Sequence, residues 1–364
     1  MGNTNTTAAY FFKDKPLFGL DIGNGSLKVL QLNEESIHRG KPQIIGYGTA
    51  TFDRAAVEDG VIVKPEIIAD NLQKLFKSGL IGDITTRRVA MAIPAYRTFT
   101  RAISLPGVKP KELADAVQME AEQYIPLPLE ELYLDYSIIR ADKDATEVFA
   151  VAVPRKIVDS YLTLAELTGL EVVAIETTLG GGARLFSIDK QSDVASVIID
   201  FGSLSSDISI YHKGVIVTGT VQGGGSVFTE SIRQKLGVTQ AEANIIKNKY
   251  GLSLSKKQKE IIEALEPTLQ QIIREIRRMI RYYGERYGDE QSQAITQVVI
   301  LGGGANMPGL PEYLTNSLRL AVRSCDPWLY FTSKRLQPPS AADKPMYSTA
   351  AGLSLIDSRE ALRP

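Results

Sequence analysis

One pattern occurs twice in this chain and limits what it can fold into. An apolar strand ends in Asp-x-Gly, passes through a turn of small polar residues, and continues as a second apolar strand. It runs Leu17-Phe18-Gly19-Leu20-Asp21-Ile22-Gly23-Asn24-Gly25-Ser26-Leu27-Lys28-Val29-Leu30, and again Val197-Ile198-Ile199-Asp200-Phe201-Gly202-Ser203-Leu204-Ser205-Ser206-Asp207-Ile208-Ser209-Ile210. A turn of glycine and small polar residues lets backbone N–H groups converge on an anion, and the hydroxyls of Ser26, Ser203 and Ser205 add donors. An Asp closing the incoming strand lies beneath such a cradle, where it can hold a water of hydrated Mg²⁺; Asp21 and Asp200 are the candidates. Either copy alone equally suits an ordinary hairpin whose turn favours Gly, Asn and Ser. Two copies, each opening a domain-sized stretch, favour a duplicated phosphate-binding unit.

The chain's 364 residues, 44% hydrophobic and 23% charged, leave room for two or three domains, each with its own core. A formal net charge of −1 gives no global reason to expect nucleic acid or an acidic membrane surface as partner. Cys325 has no second cysteine to pair with, and with only His38 and His212 beside it no Cys/His metal cluster is expected. Residues 1–15 lack the basic and apolar segments of a secretory signal, and no apolar run approaches the roughly 18 residues of a membrane span, so a cytoplasmic protein is expected. Tyr10-Phe11-Phe12 reads as an aromatic cluster packed on the first domain.

Along the chain, residues 16–60 read as strand, turn, strand and a third strand around Gln43–Phe52, followed by an amphipathic helix over 65–79 and a strand Arg88–Ile93. A compact β-α-β-β stretch follows: strand Tyr96–Leu105, helix Lys109–Tyr124, strands Leu132–Ile139 and Glu147–Pro154. Helix 155–168 and strand 170–175 return to the first fold. Residues 194–224 repeat the hairpin start and end in Gly223-Gly224-Gly225 before the helical run Val227–Leu236. A mostly helical segment, 238–287, carries Ile261, Leu265, Leu269, Ile272, Ile276, Met279, Ile280 and Tyr283 on one face. Arg274, Arg277, Arg278 and Arg281 occupy the remaining surface of its last turns, and with Glu275 among them a solvated or domain-junction face suits better than nucleic acid. Strand Gln297–Leu301 then runs into Gly302-Gly303-Gly304-Ala305-Asn306-Met307 and a helix from Pro311 to Leu320.

Strand, Gly-rich turn and helix is what a nucleotide site needs, because glycine permits close backbone approach and a helix N-terminus carries positive potential. No Gly-x-Gly-x-x-Gly fingerprint and no Gly-Lys-Ser/Thr is present at Gly302–Gly304. The order of motifs nevertheless resembles the actin, Hsp70 and sugar-kinase superfamily. That resemblance implies an α/β, actin-like (ribonuclease H-like) fold of duplicated domains with an interdomain nucleotide cleft and an inserted β-α-β-β subdomain. It assigns Gly23, Asn24, Gly25 and Ser26 to one phosphate loop and Gly202, Ser203, Leu204 and Ser205 to the other, with Gly223–Gly225, Gly302–Gly304 and Met307 beside the nucleotide. Asp21 and Asp200 would hold Mg²⁺ through water. Lys28 stands where the superfamily often has a Lys, and suits an exposed strand equally well. Glu176, at a strand-to-helix connection, is the catalytic candidate for positioning the attacking water; it equally suits a helix-start carboxylate facing solvent. The Gly180-Gly181-Gly182 that follows departs from the usual Ala-rich helix, so slow or absent hydrolysis is expected even where ATP binds. Glu242 reads both as the N3 residue of a capping box from Thr239 and as a ribose contact, the usual Lys three residues on being Ile245, with Lys247 nearby.

The run Arg101-Ala102-Ile103-Ser104-Leu105-Pro106-Gly107, then Met119-Glu120-Ala121-Glu122-Gln123-Tyr124-Ile125-Pro126-Leu127-Pro128 and Leu134-Asp135-Tyr136, is similar to the PilM family of type IV pilus assembly proteins, related to FtsA. The resemblance runs from Pro16 to the C-terminus and implies a cytoplasmic ATP-binding protein of the pilus inner-membrane platform. Such proteins bind the N-terminal cytoplasmic peptide of a PilN-type membrane protein in a groove between the first domain and the insert, meeting the membrane only through that partner. A homo-oligomer and contacts with other platform proteins are compatible with it. The domain division it implies is an arm at 1–15, a first domain at 16–94 and 154–190, the insert at 95–153, and a second domain at 191–237 and 293–336. A helical subdomain at 238–292 and a linker with a returning C-terminal helix at 337–364 complete it. An FtsA-like division protein would want a C-terminal amphipathic helix, for which Ser354–Pro364 is short and polar. A small-molecule kinase would want a catalytic Asp outside the two hairpins, and none stands out.

Overall fold

The computed structural model describes residues 15–40, 42–142, 144–188, 194–287 and 294–357. Of the expected N-terminal arm only Lys15 is among them, and the Tyr10–Phe12 cluster lies outside. The chain forms two compact units, the first from Met1–Ile93, Val158–Ile188 and Asp326–Pro364, the second from Pro94–Ile157 and Asp189–Cys325.

The stretch through Ile93 carries β1 (Phe18–Ile22), β2 (Ser26–Leu32), α1 (Glu34–His38), β3 (Ile44–Thr51), β4 (Val57–Glu58), β5 (Val61–Ile62), α2 (Pro65–Lys74), β6 (Ile81–Gly82) and β7 (Arg88–Ile93). From Pro94 follow β8 (Phe99–Pro106), α3 (Leu113–Glu122), β9 (Leu132–Ala141) and β10 (Ala145–Pro154). Helix α4 (Arg155–Thr168), β11 (Glu171–Thr177) and α5 (Thr178–Ser187) lead back through the first unit. The second unit continues with β12 (Ser196–Phe201), β13 (Ser205–Tyr211), β14 (Val215–Gln222), α6 (Gly225–Leu236), α7 (Gln240–Lys249), α8 (Gln258–Tyr287), β15 (Gln297–Leu301), α9 (Leu310–Leu318) and β16 (Ala321–Ser324). Helix α10 (Ser348–Leu353) closes the chain in the first unit.

The duplication seen in sequence is a duplication of architecture. The first unit's sheet has the order β11-β7-β1-β2-β3-β6 and the second's β14-β13-β12-β15-β16. In each, three antiparallel strands in succession adjoin parallel ones: β1 pairs β2 antiparallel and β7 parallel, as β12 pairs β13 antiparallel and β15 parallel. The central strands are buried along their whole length, β1, β7, β12 and β13 alike; β1, β7 and β12 read as largely apolar runs, while β13 buries Ser205, Ser206, Asp207 and Ser209 among its apolar residues. Helix α8 turns Ile261, Leu265, Leu269, Ile272, Ile276, Met279 and Tyr283 into the second core.

Several elements differ from the sequence expectation for physical reasons. The run 238–287 is broken into α7 and α8, because Gly251 sits at positive φ with a Cβ position only 2.5 Å from the Pro308 carbonyl oxygen. The helix expected from Lys109 becomes α-helical only at Leu113, after a 3₁₀ turn opened by Pro110. Strand β16 is too short to show a period and is fixed by its parallel register with β15, Val298 against Val322. The β-α-β-β stretch forms its own sheet, β8-β10-β9, over a core of Ile103, Leu105, Leu113, Val117, Val148 and Ala150. It joins the second unit through the Thr100 and Thr218 hydroxyls and through Glu147, which accepts from Arg286 Nη2 and Tyr287 Oη at 2.7 Å each.

In the first unit α10 crosses α5 at backbone contact, so a Cβ on Gly352 would stand 1.7 Å from the Gly181 carbonyl oxygen. This crossing accounts for Gly181, whose Cβ position faces Leu353 and Thr349 at 3.3 Å. Replacing Gly352 by Val is expected to cost about 3 kcal/mol through overpacking, read as a lowered urea midpoint; an unchanged midpoint would show that the helices do not meet this way.

Candidate functional site

In the second unit, the buried Asp200 stands one residue before the end of β12, and the turn Gly202–Leu204 is stitched to the start of α6. Gly225 N donates to Gly202 O at 2.9 Å, Ser226 N to Ser203 O at 2.9 Å, and Gly223 N to Leu204 O at 3.1 Å. The hydroxyls of Ser203 and Ser226 lie 2.7 Å apart, and Ser206 Oγ donates to Gly223 O at 2.6 Å. Parallel register sets Asp200 beside Leu301, so that the next residue, Gly302, meets its carboxylate: a Cβ there would lie 2.1 Å from Asp200 Oδ1. With φ at +82°, Gly302 is held to glycine on both counts. The turn then enters a 3₁₀ segment at Gly303. The amides of Ser203 and Leu204 at the hairpin tip and of Gly303 and Gly304 in this turn bond to no group among the described residues. Open amides of this kind make an anion-binding concavity.

Sequence reading had placed Ser205 as a phosphate donor, but its hydroxyl donates at 3.1 Å to Asp207 Oδ2, while Thr220 Oγ1 donates at 2.7 Å to Oδ1. Asp207 stands directly opposite Asp200 in the antiparallel register. Burial pushes its carboxyl up to about 6, against the lowering effect of the Thr220 and Ser205 hydrogen bonds. Met307 is buried in the core beside the Gly251 turn. Glu242 completes the capping box: Thr239 N and Oγ1 donate to its Oε2 at 2.9 and 2.8 Å, holding the carboxyl below the usual range. Lys247 Nζ donates to Gly225 O and Thr229 Oγ1, both at 2.9 Å, which brings a cation to the first turn of α6; Ile245 is exposed.

In the first unit the hairpin closes through Gly23 N to Ser26 O at 2.9 Å and Gly25 N to Gly23 O at 3.0 Å, leaving the Asn24 amide at the tip. Here the residue opposite Asp21 is Lys28, and their ion pair at 3.3 Å is nearly buried. The Lys28 ammonium lies over Gly23, and the Arg54 side chain lies along Gly25. Glu176, one residue before the end of β11, is in register with Ala92 of β7, as Asp21 is from the other side, so the two carboxylates share one level of the sheet. Glu176 does not face solvent freely: its Oε1 pairs with Arg184 of α5.

The structure thus gathers Asp200, Gly202, Ser203, Leu204, Gly223–Gly225 and Gly302–Gly304 in one unit, and Asp21, Gly23–Ser26, Lys28 and Glu176 in the other. Sequence reading passed over Asp207, Arg54 and Arg184. Asp207 could have been found by aligning the repeats, since it follows Asp200 by the interval that separates Lys28 from Asp21; Arg54 and Arg184 reach their partners through the fold and carried no signal. Among the described residues no helix is long and apolar enough to cross a membrane, and no group of three or more His, Cys, Asp and Glu could hold a metal ion.

Residues 19–358 match the family model described as type IV pilus assembly protein PilM. The chain belongs to that family. It is also 24% identical over 384 residues to the cell division protein FtsA of Neisseria meningitidis serogroup B (strain ATCC BAA-335 / MC58), covering 92% of this chain and 88% of FtsA. Among solved structures, the PilM–PilN type IV pilus biogenesis complex matches with a TM-score of 0.79 and 22% identity, over 96% of this chain and 100% of the other. MreB5 of Spiroplasma citri bound to AMPPNP matches with a TM-score of 0.53 and 15% identity, over 93% and 94%. The fold of this PilM-family chain is therefore the actin-like one.

The burial of Asp207 has a measurable consequence. A carboxyl whose folded pKa is raised favours folding while protonated, so its contribution is full below about pH 4 and is lost as pH rises through about 6. Wild type should therefore lose up to about 3 kcal/mol more stability than Asp207→Asn between pH 4 and 7. Denaturant unfolding at both pH values checks this, and parallel profiles would show that Asp207 ionises normally.

Proposed function

We propose that this chain is an ATP-binding assembly protein of the type IV pilus inner-membrane platform, working at the inner face of the membrane through a PilN-type partner. The observation that carries the nucleotide part is the set of open amides around the Asp200 turn. Ser203, Leu204, Gly303 and Gly304 offer N–H donors with no protein partner beside a strand-end carboxylate, a donor set suited to phosphate oxygens. The first hairpin has donors of its own in the Asn24 amide, Ser26 and Lys28. Asp21 shares its charge with Lys28, whereas Asp200 faces a second carboxylate, so Asp200 is the stronger candidate to hold water on Mg²⁺. When bound, Mg²⁺ would neutralise phosphate charge there. The Glu242 carboxylate is committed to its capping box, and a ribose contact would have to share it. Met307 supports the turn from the core.

The partner part rests on the family and on the likeness to a PilM–PilN complex. The insert offers β9, an edge strand of its sheet with Tyr133 and Ile138 exposed, suited to an extended peptide that adds main-chain hydrogen bonds and seats alternate side chains.

Asp200→Asn should weaken Mg²⁺-dependent ATP binding about ten-fold or more in calorimetry, while Asp21→Asn should weaken it less. Equal affinity of all three proteins would remove the nucleotide reading. Replacing Tyr133 and Ile138 together by Glu should weaken capture of a fluorescent PilN-type N-terminal peptide about ten-fold. Unchanged anisotropy curves would take β9 out of the docking surface.

A further inference from the structure

The sheet of the first unit places Glu176 and Asp21 on either side of Ala92 at one level, two strand spacings or roughly 10 Å apart. Both stand at the C-terminal ends of parallel strands, the edge where α/β sheets hold ligands. A carboxylate there can orient a water by accepting its hydrogen bond. Yet Glu176 Oε1 is held by Arg184, and its Oε2 is buried with no hydrogen-bond partner among the described residues.

The origin of Arg184 decides what this pairing does. It lies six residues beyond the start of α5, roughly 9 Å further along the helix, so the ion pair ties Oε1 to the helix while Oε2 rests beside Gly180 in its first turn. Helix α5 cannot yield, because Gly181 is wedged against Thr349, Leu353 and the Gly352 backbone of α10. Arg184 also lines a cavity of about 240 Å³ together with Leu17, Leu32, Ile356 and the acidic residues Glu34 and Asp357, toward which the guanidinium could turn.

We propose that Arg184 is a positioning residue that restrains Glu176 and keeps ATP turnover slow, so that the chain holds its nucleotide. The inference rests on the ATP-binding reading above. In the restrained reaction a water oxygen bonds to the γ-phosphorus while the bond from that phosphorus to the bridging oxygen breaks. ADP leaves with the electron pair, and a water proton passes to a phosphate oxygen. Glu176 contributes by accepting the water's other hydrogen bond, which it can do fully only when Arg184 lets go.

The test uses the full chain with Arg184→Gln, Arg184→Met, Arg184→Lys, Glu176→Gln and the Glu176→Gln/Arg184→Gln double variant. Calorimetric ATP affinity, steady-state hydrolysis and thermal unfolding without nucleotide are measured for each. Arg184→Gln and Arg184→Met should raise kcat by about five-fold or more with KM and Kd changed less than about two-fold, and Arg184→Lys should stay near wild type. The double variant should be no faster than Glu176→Gln. In the nucleotide-free protein, the losses in Tm of the two Gln variants should be less than additive, as befits a shared ion pair. Hydrolysis by Arg184→Gln at or below the wild-type rate with ATP affinity intact would overturn the restraint, as would a double variant as fast as Arg184→Gln. Failure of the wild type to bind ATP would show in calorimetry, and would remove the nucleotide reading and this inference together.

Discussion

In the second unit three backbone segments meet more closely than side chains allow: the end of β12, the turn after β15 and the first turn of α6. Asp200 Oδ1 occupies the space a Cβ on Gly302 would need, and Gly202 and Ser203 accept hydrogen bonds from Gly225 and Ser226. Parallel pairing of β12 with β15 brings the first two together, and the antiparallel β13 and β14 return the chain to the third. Because these carbonyls are satisfied within the protein, the amides left over at Ser203, Leu204, Gly303 and Gly304 remain open, and open amides in a fixed concavity are what an anion recognises. The sheet core, the glycine run of Gly223–Gly225 and the buried face of α8 all serve to hold this approach in place.

The first unit repeats the architecture with a different charge arrangement. Seven residues beyond the Asp there is a lysine in one hairpin and an aspartate in the other, and antiparallel register places each directly opposite its Asp. Asp21 is neutralised within the protein; Asp200 faces a neighbour that burial keeps partly protonated near neutral pH. Two hairpins of the same shape therefore carry different charge, an ion pair in one case and two facing carboxyls in the other. The same unit fixes α5 through its crossing with α10, and through α5 it fixes the partner of Glu176. A contact between C-terminal and central segments thus reaches a carboxylate at the C-terminal edge of the parallel strands.

Much of this was legible in the sequence for a plain reason. Strands buried on both faces are mostly apolar, so β1, β7, β12 and β15 announce themselves, and the Asp-x-Gly turn that joins two of them to their neighbours is spelled in small residues. The capping box at Thr239 and Glu242 is local chemistry and was read correctly as such. The α7–α8 break and β16 were not legible, because each depends on a contact with another segment of the chain; the 3₁₀ entry to α3 is a local effect of Pro110.

The sequence by itself determined the duplicated fold, the positions of the two turns and the family, since all three follow from residue types at fixed local spacing. Only the tertiary structure decided the state of the charges: that Lys28 neutralises Asp21, that Ser205 turns inward to Asp207, and that Arg184 holds Glu176. Which groups meet across a sheet or from helix to strand is set by register and packing, and neither can be read from the order of residues within a single element.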